Sequence, residues 1–201
     1  MINSIINTPV TVFPQEHNFI ENFVMGGKFP WFWKAGQMFN TDFFYNHHLP
    51  DWFRPHLSHY NPQFFSHSLL RIAEDMNQSH LNRGPNDFSP YYEFFIEIFH
   101  RFMTENNLKY TKIFRANLNL NWYNNINHTE PHRDHSWPHH NFIMYLNTCE
   151  NGETLIWPDD FSATYFVPCN QYTAVTFKQQ WHAHRFPKPG TRRVVFVVTY
   201  I

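Results

Sequence analysis

The second half of the chain is built from short runs of residues with the spacing of β-strands. "RANLNLNWY" alternates apolar and polar residues, while "NFIMYLN", "TLIW", "YTAVTF" and "RRVVFVVTYI" are β-branched or aromatic runs separated by Asn, Gly and Pro. Several short strands with turn signals about every ten residues predict a sandwich or jelly roll. The last run is apolar at odd and even positions alike, so we expect a central strand covered on both faces.

The first half of the chain carries helical signals instead. Residues 1–110 contain three segments with apolar stripes, namely "QEHNFIENFVMGG", "FSHSLLRIAEDMNQ" with Ser66 as its cap, and "SPYYEFFIEIFHRFMTENN". We therefore predict a single α+β domain over residues 1–201. Residues 1–110 are expected to form a mostly helical buttress with loops, and residues 111–201 a double-stranded β-helix (jelly roll), with the N-terminal helices packed on one sheet.

The composition limits the classes of partner. The formal net charge is −1 and the isoelectric point about 6.9, so no basic surface indicates binding to nucleic acid or to an anionic membrane. The longest apolar runs are too short to span a bilayer, and we expect a cytoplasmic protein without a membrane partner. The chain has 23 Phe residues, and we expect most of them in the core rather than on an exposed partner surface.

The segment "PHRDHSWPHH", residues 131–140, contains a candidate half of a metal site. On an extended segment, His132 and Asp134 point to the same side and can converge on one ion. Two histidines and one carboxylate on one face form the facial triad of non-haem Fe(II), which leaves positions open for a cosubstrate and dioxygen. The same ligands also suit Zn²⁺, so a zinc hydrolase is one alternative.

The motifs that follow His132 resemble those of the 2-oxoglutarate- and Fe(II)-dependent dioxygenases, in particular the prolyl-hydroxylase-like branch. In order, they are "YLN", "NGETLIWPDD", "FVPCNQYTAVTF" and "WHAHRFPKPGTRRVVFVV", and the resemblance covers residues 112–201. The double glycine of the family is Asn151-Gly152 here. The N-terminal "FPWFW" is similar to members from marine phage genomes.

This resemblance implies the site residues. His132, Asp134 and a distal histidine would bind the iron, with His182 as first choice and His184, two residues later, as second. Arg192 or Arg193 would bind the C5 carboxylate of 2-oxoglutarate, and Arg192 is the first choice. Successive strand residues point to opposite faces, so only one of the two arginines can serve.

Two tyrosines complete the expected cosubstrate pocket. Tyr145, in "YLN", stands where the family has a tyrosine that donates a hydrogen bond to the same carboxylate. Tyr123 resembles the other pocket tyrosine of the family, and a core aromatic is the alternative role for it.

The implied function is hydroxylation of a C–H bond by Fe(II), 2-oxoglutarate and dioxygen, with ascorbate as a candidate reductant. A protein or prolyl side chain is the first candidate substrate, small molecules are the alternative, and nucleic acid is disfavoured by the neutral charge. The main rival is a non-catalytic metal-binding jelly-roll module, structural or virion-associated. Neither this rival nor the zinc hydrolase has a use for Arg192 and Tyr145.

Overall fold

A computed structural model describes residues 5–34, 63–72 and 87–201 of the chain. These residues form eleven strands in two antiparallel sheets. The larger sheet has the spatial order β1 (Ile6–Pro9), β9 (Thr173–Lys178), β6 (His140–Tyr145), β11 (Arg192–Tyr200), β5 (Ile113–Trp122), β3 (Phe64–Arg71) and β2 (Phe32–Lys34), with β4 (Asp87–Phe88) paired to β3. The smaller sheet has the order β10 (Trp181–His184), β7 (Thr154–Trp157) and β8 (Tyr165–Val167).

The helices pack on the outer face of the larger sheet. α1 (Pro14–Phe19) continues into a π-helical turn (Ile20–Val24), and α2 (Tyr92–Glu105) follows β4. The buried face of α2 carries phenylalanines at helical spacing, which pack with aromatic residues of β6 and β11 in one core: Phe95, Phe99, Phe102, Phe142 and Phe196. Nine phenylalanines of the described ranges are buried, and four, namely Phe13, Phe32, Phe88 and Phe166, are exposed. None of the helices in the described ranges has both the length and the apolar character that a membrane span requires.

A second core lies between the two sheets. It joins apolar residues from the inner faces of both: Ile143, Tyr145, Val175, Phe177 and Val195 from the larger sheet, and Ile156 and Val167 from the smaller one. β11 contributes to both cores because Val194, Phe196 and Val198 face the helices while Val195 faces the smaller sheet. The prediction of a central strand covered on both faces is therefore confirmed, as is the α+β jelly roll with N-terminal helices on one sheet.

One predicted helix is wrong. "FSHSLLRIAEDMNQ" forms strand β3 through Arg71, and its residues from 73 onwards lie outside the described ranges. The register of β3 against β5 shifts between Ser68 and Leu70, so that Leu69 and Leu70 are both buried. Such a bulge breaks the alternation of a strand and leaves apolar residues at spacings that imitate a helix. Four strands thus come from the part of residues 1–110 that the structure describes, for which the sequence predicts mostly helices and loops.

Candidate active site

Three side chains converge at one end of the space between the sheets. His132, Asp134 and His182 each offer a ligand atom, and these atoms all lie within 4.8 Å of one another. Nε2 of His182 is 3.6 Å from Oδ2 of Asp134, and Nε2 of His132 is 4.0 Å from Oδ1. Within the described ranges this is the one group of three or more such residues that could hold a metal ion.

The backbone brings these residues together by an extra pairing beside β10. His132 and His182 form an isolated antiparallel bridge in which each backbone N–H donates to the other carbonyl over 2.9 Å. Each ring also donates from Nδ1 to a carbonyl two residues earlier, that of Glu130 over 2.9 Å and that of Gln180 over 3.1 Å. These bonds fix the ring orientations and leave both Nε2 atoms as acceptors, the form that a metal requires.

The charges at this group suit a divalent cation. Burial, together with the neighbouring His132, lowers the pKa of His182 to about 3, so this imidazole is neutral at ordinary pH. Burial opposes the charge of Asp134, but Arg115 and the nearby imidazoles hold the pKa of that carboxyl well below its usual range. The site therefore presents an ionised carboxylate beside imidazole nitrogens.

Arg115 is a part of the site that the sequence analysis missed. It lies on β5, and its Nη2 is 2.9 Å from Oδ1 of Asp134 and 3.3 Å from Oγ1 of Thr199 on β11. Arg115 and Thr199 are directly paired across the strands. The arginine stands seventeen or more positions away from every residue of the metal group, and only the strand register shows that it reaches the carboxylate.

A second polar group lies between the sheets at Thr154, two residues along β7 from Ile156, the partner of His182. Nη2 of Arg193 donates to Oγ1 of Thr154 over 3.0 Å, and the hydroxyl of Tyr145 donates to the same oxygen over 2.6 Å. Nε of Arg193 donates to the carbonyl of Gly152 over 2.9 Å, and the guanidinium lies 5.5 Å from the centre of the Tyr145 ring. All of these side chains are buried. Burial raises the pKa of Tyr145 to about 12, so its hydroxyl is a permanent donor.

The side chains of the two adjacent arginines point to opposite faces of the larger sheet. Arg193 is paired with Asn121 and is 3% exposed, whereas Arg192 is paired with Trp122 and donates from Nη2 to the carbonyl of Met25, after the π-helical turn. Alternation along a strand requires this difference. The structure therefore gives Arg193 the inward place that we expected for Arg192, and Arg192 the outward one.

His184 and Tyr123, the two remaining candidates, are not in the metal group. His184 is buried on β10, where it is paired with Thr154 of β7. It lies two residues after His182, in the direction of Arg193. Tyr123 follows the end of β5 and is about half exposed, at 52%, unlike the buried Tyr145. A role for Tyr123 at the cosubstrate stays a prediction.

Comparison with known proteins gives the fold. No family model and no curated protein matches the chain. Among solved structures, a 2OG-Fe(II) oxygenase family oxidoreductase from Burkholderia pseudomallei has a TM-score of 0.66 at 11% identity, over 98% of this chain and 84% of that one. A prolyl hydroxylase from Trichoplax adhaerens, in complex with a hypoxia inducible factor peptide fragment, has a TM-score of 0.57 at 10% identity, over 98% and 82%.

A third similar structure contains both ligands that the motifs imply. The epimerase SnoN, in complex with Fe³⁺, alpha ketoglutarate and nogalamycin RO, has a TM-score of 0.57 at 10% identity, over 100% of this chain and 79% of that one. The likeness extends over the whole chain and is not limited to the region of the motifs. The chain has the fold of the 2-oxoglutarate- and Fe(II)-dependent oxygenases, and the resemblance found in its motifs is confirmed at the level of the fold.

Proposed function

We propose that the protein is an Fe(II)- and 2-oxoglutarate-dependent dioxygenase that hydroxylates a C–H bond. The observation that carries this proposal is the placement of two polar groups on the inner faces of the two sheets, on either side of apolar residues of the inner core. His132, Asp134 and His182 form one group, and Arg193 with Tyr145 and Thr154 forms the other. This arrangement fits a dicarboxylate that chelates the metal through one end and pairs with the buried Arg193 through the other.

The residues at the metal end fit Fe(II). Facial ligands bonded to one ion at about 2.0–2.2 Å stand roughly 3 Å apart. The separations of 3.6 Å to Oδ2 and 4.0 Å to Oδ1 of Asp134 are slightly longer than this, so small side-chain movements would bring the atoms to one ion. Two imidazoles and one carboxylate are the facial set typical of non-haem Fe(II) oxygenases. When bound there, the iron would supply the oxygen chemistry, and the protein supplies geometry and exclusion of water.

The residues at the other end fit the C5 carboxylate. Arg193 keeps its charge in a buried place and can form a bidentate pair with a carboxylate. Tyr145, a permanent donor, stands beside it, and Thr154 holds both donors in position. Between the two ends, Ile143, Ile156, Phe177 and Val195 exclude water from the cosubstrate chain.

A protein side chain, with prolyl as the first candidate, is the substrate class that we propose. The prolyl hydroxylase from Trichoplax adhaerens is in complex with a peptide, which supports this class. SnoN is in complex with nogalamycin RO, and small molecules are therefore the alternative. Ascorbate is retained as the candidate reductant. The likeness to phage proteins rests on the N-terminal sequence alone and has no support from the structures named above.

The test is cosubstrate binding without oxygen. Protein loaded with Fe(II) under anaerobic conditions should develop the weak visible charge-transfer band of a chelated keto acid when 2-oxoglutarate is added. His132→Ala and Asp134→Ala should abolish it. After admission of air, succinate should form with an accepted peptide or metabolite. A protein that binds iron without ever showing the band would favour the non-catalytic metal-binding module, and peptide or ester hydrolysis with Zn²⁺ would favour the zinc hydrolase.

A further inference from the structure

Three buried polar atoms on the inner walls, two of Asn141 and one of His184, have no hydrogen-bond partner within the described part of the chain. Asn141 is 0% exposed, and neither its Oδ1 nor its Nδ2 is paired. His184 is 8% exposed, and its Nε2 is unpaired. Buried polar atoms are paired in the great majority of cases, and each exception requires an explanation. Neither residue has a role in the proposed function so far.

Asn141 lies at the metal end of the space. On β6 it shares its face with Ile143 and Tyr145, which line the inner core. It is paired with Thr199 of β11, the residue whose hydroxyl accepts from Arg115. On its other side it is paired with Phe177 of β9, whose ring packs 5.2 Å from that of His182. Paired residues point to the same face of a sheet, so the amide of Asn141 lies beside the metal group.

His184 lies further along the same space, towards Arg193. It points to the same face as His182 because the two are separated by one residue on β10. It is paired with Thr154 of β7, whose hydroxyl accepts from Arg193 and Tyr145. Its ring therefore stands between the metal group and the polar group of Arg193, Tyr145 and Thr154.

We propose that Asn141 and His184 are two further cosubstrate-binding residues, each of which binds a different end of 2-oxoglutarate. The Nδ2 of Asn141 donates to the keto-acid half beside the metal, and the Nε2–H of His184 donates to the C5 carboxylate beside Arg193. This inference rests on the proposed function, because it takes 2-oxoglutarate as the ligand that supplies the missing hydrogen-bond partner of both side chains. It explains why the amide of Asn141 and Nε2 of His184 have no partner within the described residues.

The test compares two keto acids that differ at one end. 2-Oxobutyrate carries the same keto-acid half as 2-oxoglutarate and lacks the C5 carboxylate. Affinities are measured by anaerobic titration of the Fe(II)-loaded protein. Asn141→Leu should weaken both ligands by a similar factor of about tenfold, which corresponds to the loss of one hydrogen bond to a charged group. His184→Phe should weaken 2-oxoglutarate by about tenfold and leave 2-oxobutyrate unchanged.

Three further variants separate binding from folding. His184→Gln keeps a donor and should retain most of the affinity for 2-oxoglutarate. Asn141→Asp keeps the shape of the side chain but replaces the donor by an anion, and should weaken both keto acids at least as much as Asn141→Leu. The control is His140→Phe, next to Asn141 on β6 but facing outwards against Tyr200, and it should change neither affinity.

The thermal unfolding of the metal-free protein gives a readout independent of activity. An unpaired buried polar group replaced by an apolar one of similar shape should leave the unfolding midpoint unchanged or raise it. Variants that lower this midpoint but bind both keto acids like the parent would overturn the inference, and so would equal losses for both keto acids in His184→Phe. A parent protein that binds Fe(II) but not 2-oxoglutarate would refute the proposed function itself, which is a different result.

Discussion

Arg193 and Tyr145 donate to the same hydroxyl oxygen, that of Thr154, over 3.0 and 2.6 Å. This shared acceptor holds a guanidinium and a phenol side by side between the two sheets. Their geometry is set before any ligand arrives, since all three side chains are buried and supported by strands β11, β6 and β7. Such preorganisation reduces the conformational entropy that binding of a carboxylate would otherwise cost.

The first prediction concerns the two arginines. Arg193→Leu removes the buried cation, and a buried charge that loses its partner costs about 3–5 kcal/mol. We therefore expect affinity for 2-oxoglutarate to fall roughly a hundredfold or more, with Fe(II) binding little changed. Arg192→Leu is the matched control, because its side chain reaches the carbonyl of Met25 on the other face, and its affinity should stay within about threefold of the parent. Anaerobic titration of both variants measures this, and a larger loss in Arg192→Leu would reverse the assignment.

The second prediction concerns the hydroxyl of Thr154. Thr154→Val keeps the shape of the side chain but leaves the donors of Arg193 and Tyr145 without their common acceptor. Affinity for 2-oxoglutarate should fall about tenfold, as expected for the loss of a hydrogen bond to a charged group. Thr154→Ser restores the oxygen and should recover most of the affinity. Similar affinities for the two variants would mean that the hydroxyl does not organise the pocket.

The sequence predicts the site residues that belong to a short motif. It does not predict those whose place depends on the register between paired strands. The motifs around His132, Asp134 and His182 identify the residues that the structure brings together, because a short spacing on an extended segment fixes their direction. The choice between Arg192 and Arg193 depends instead on which of them pairs with Asn121. β11 is apolar on both faces, so its own pattern cannot decide this.

The same limit explains what the sequence analysis missed. Arg115 reaches Asp134 through the pairing of β5 with β11, and Asn141 reaches the metal end through the pairing of β6 with β9 and β11. No local signal marks either residue. The helix predicted where β3 lies failed for a related reason, since a bulge at Ser68–Leu70 is fixed by the partner strand and not by the segment itself.

The third prediction concerns the ion pair between Arg115 and Asp134. Arg115→Met leaves a partly buried carboxylate without its cation, and the metal-free protein should lose up to about 3 kcal/mol of unfolding free energy. A divalent ion at the site would neutralise the same carboxylate. Fe(II) should therefore raise the unfolding temperature of the variant by more than it raises that of the parent. Thermal unfolding with and without Fe(II), under anaerobic conditions, measures the two shifts. Equal shifts would show that the ion and Arg115 do not share the charge of Asp134.

The fourth prediction concerns pH. Burial lowers the pKa of His182 and of His135 to about 3, while the unfolded chain protonates histidine near pH 6.5. Below about pH 6.5 the unfolded state therefore binds more protons than the folded state, and the unfolding free energy must fall as pH falls. Each histidine contributes a slope of about 1.4 kcal/mol per pH unit between roughly pH 6 and pH 4.

Urea unfolding of the metal-free protein between pH 7.5 and pH 4.5 measures this slope. The low pKa of Asp134 acts in the same direction, but only below about pH 4, and so stays outside the window. His135→Phe removes one imidazole of lowered pKa and should flatten the curve by about the slope of one histidine. A stability that rises as pH falls through this window would contradict the neutral, buried state of these rings.

The last prediction concerns Gly152, whose carbonyl accepts from Nε of Arg193 over 2.9 Å. A Cβ added there would collide with Sγ of Cys149 and lie 3.4 Å from Cβ of Cys169, so the sulfur or the backbone must shift. Gly152→Ala should cost about 1–3 kcal/mol of unfolding free energy and weaken 2-oxoglutarate, because the guanidinium moves with its acceptor. Adding Cys149→Ala removes the obstructing sulfur, and the double variant should recover much of both losses. Independent, additive effects of the two substitutions would show that this contact does not position Arg193.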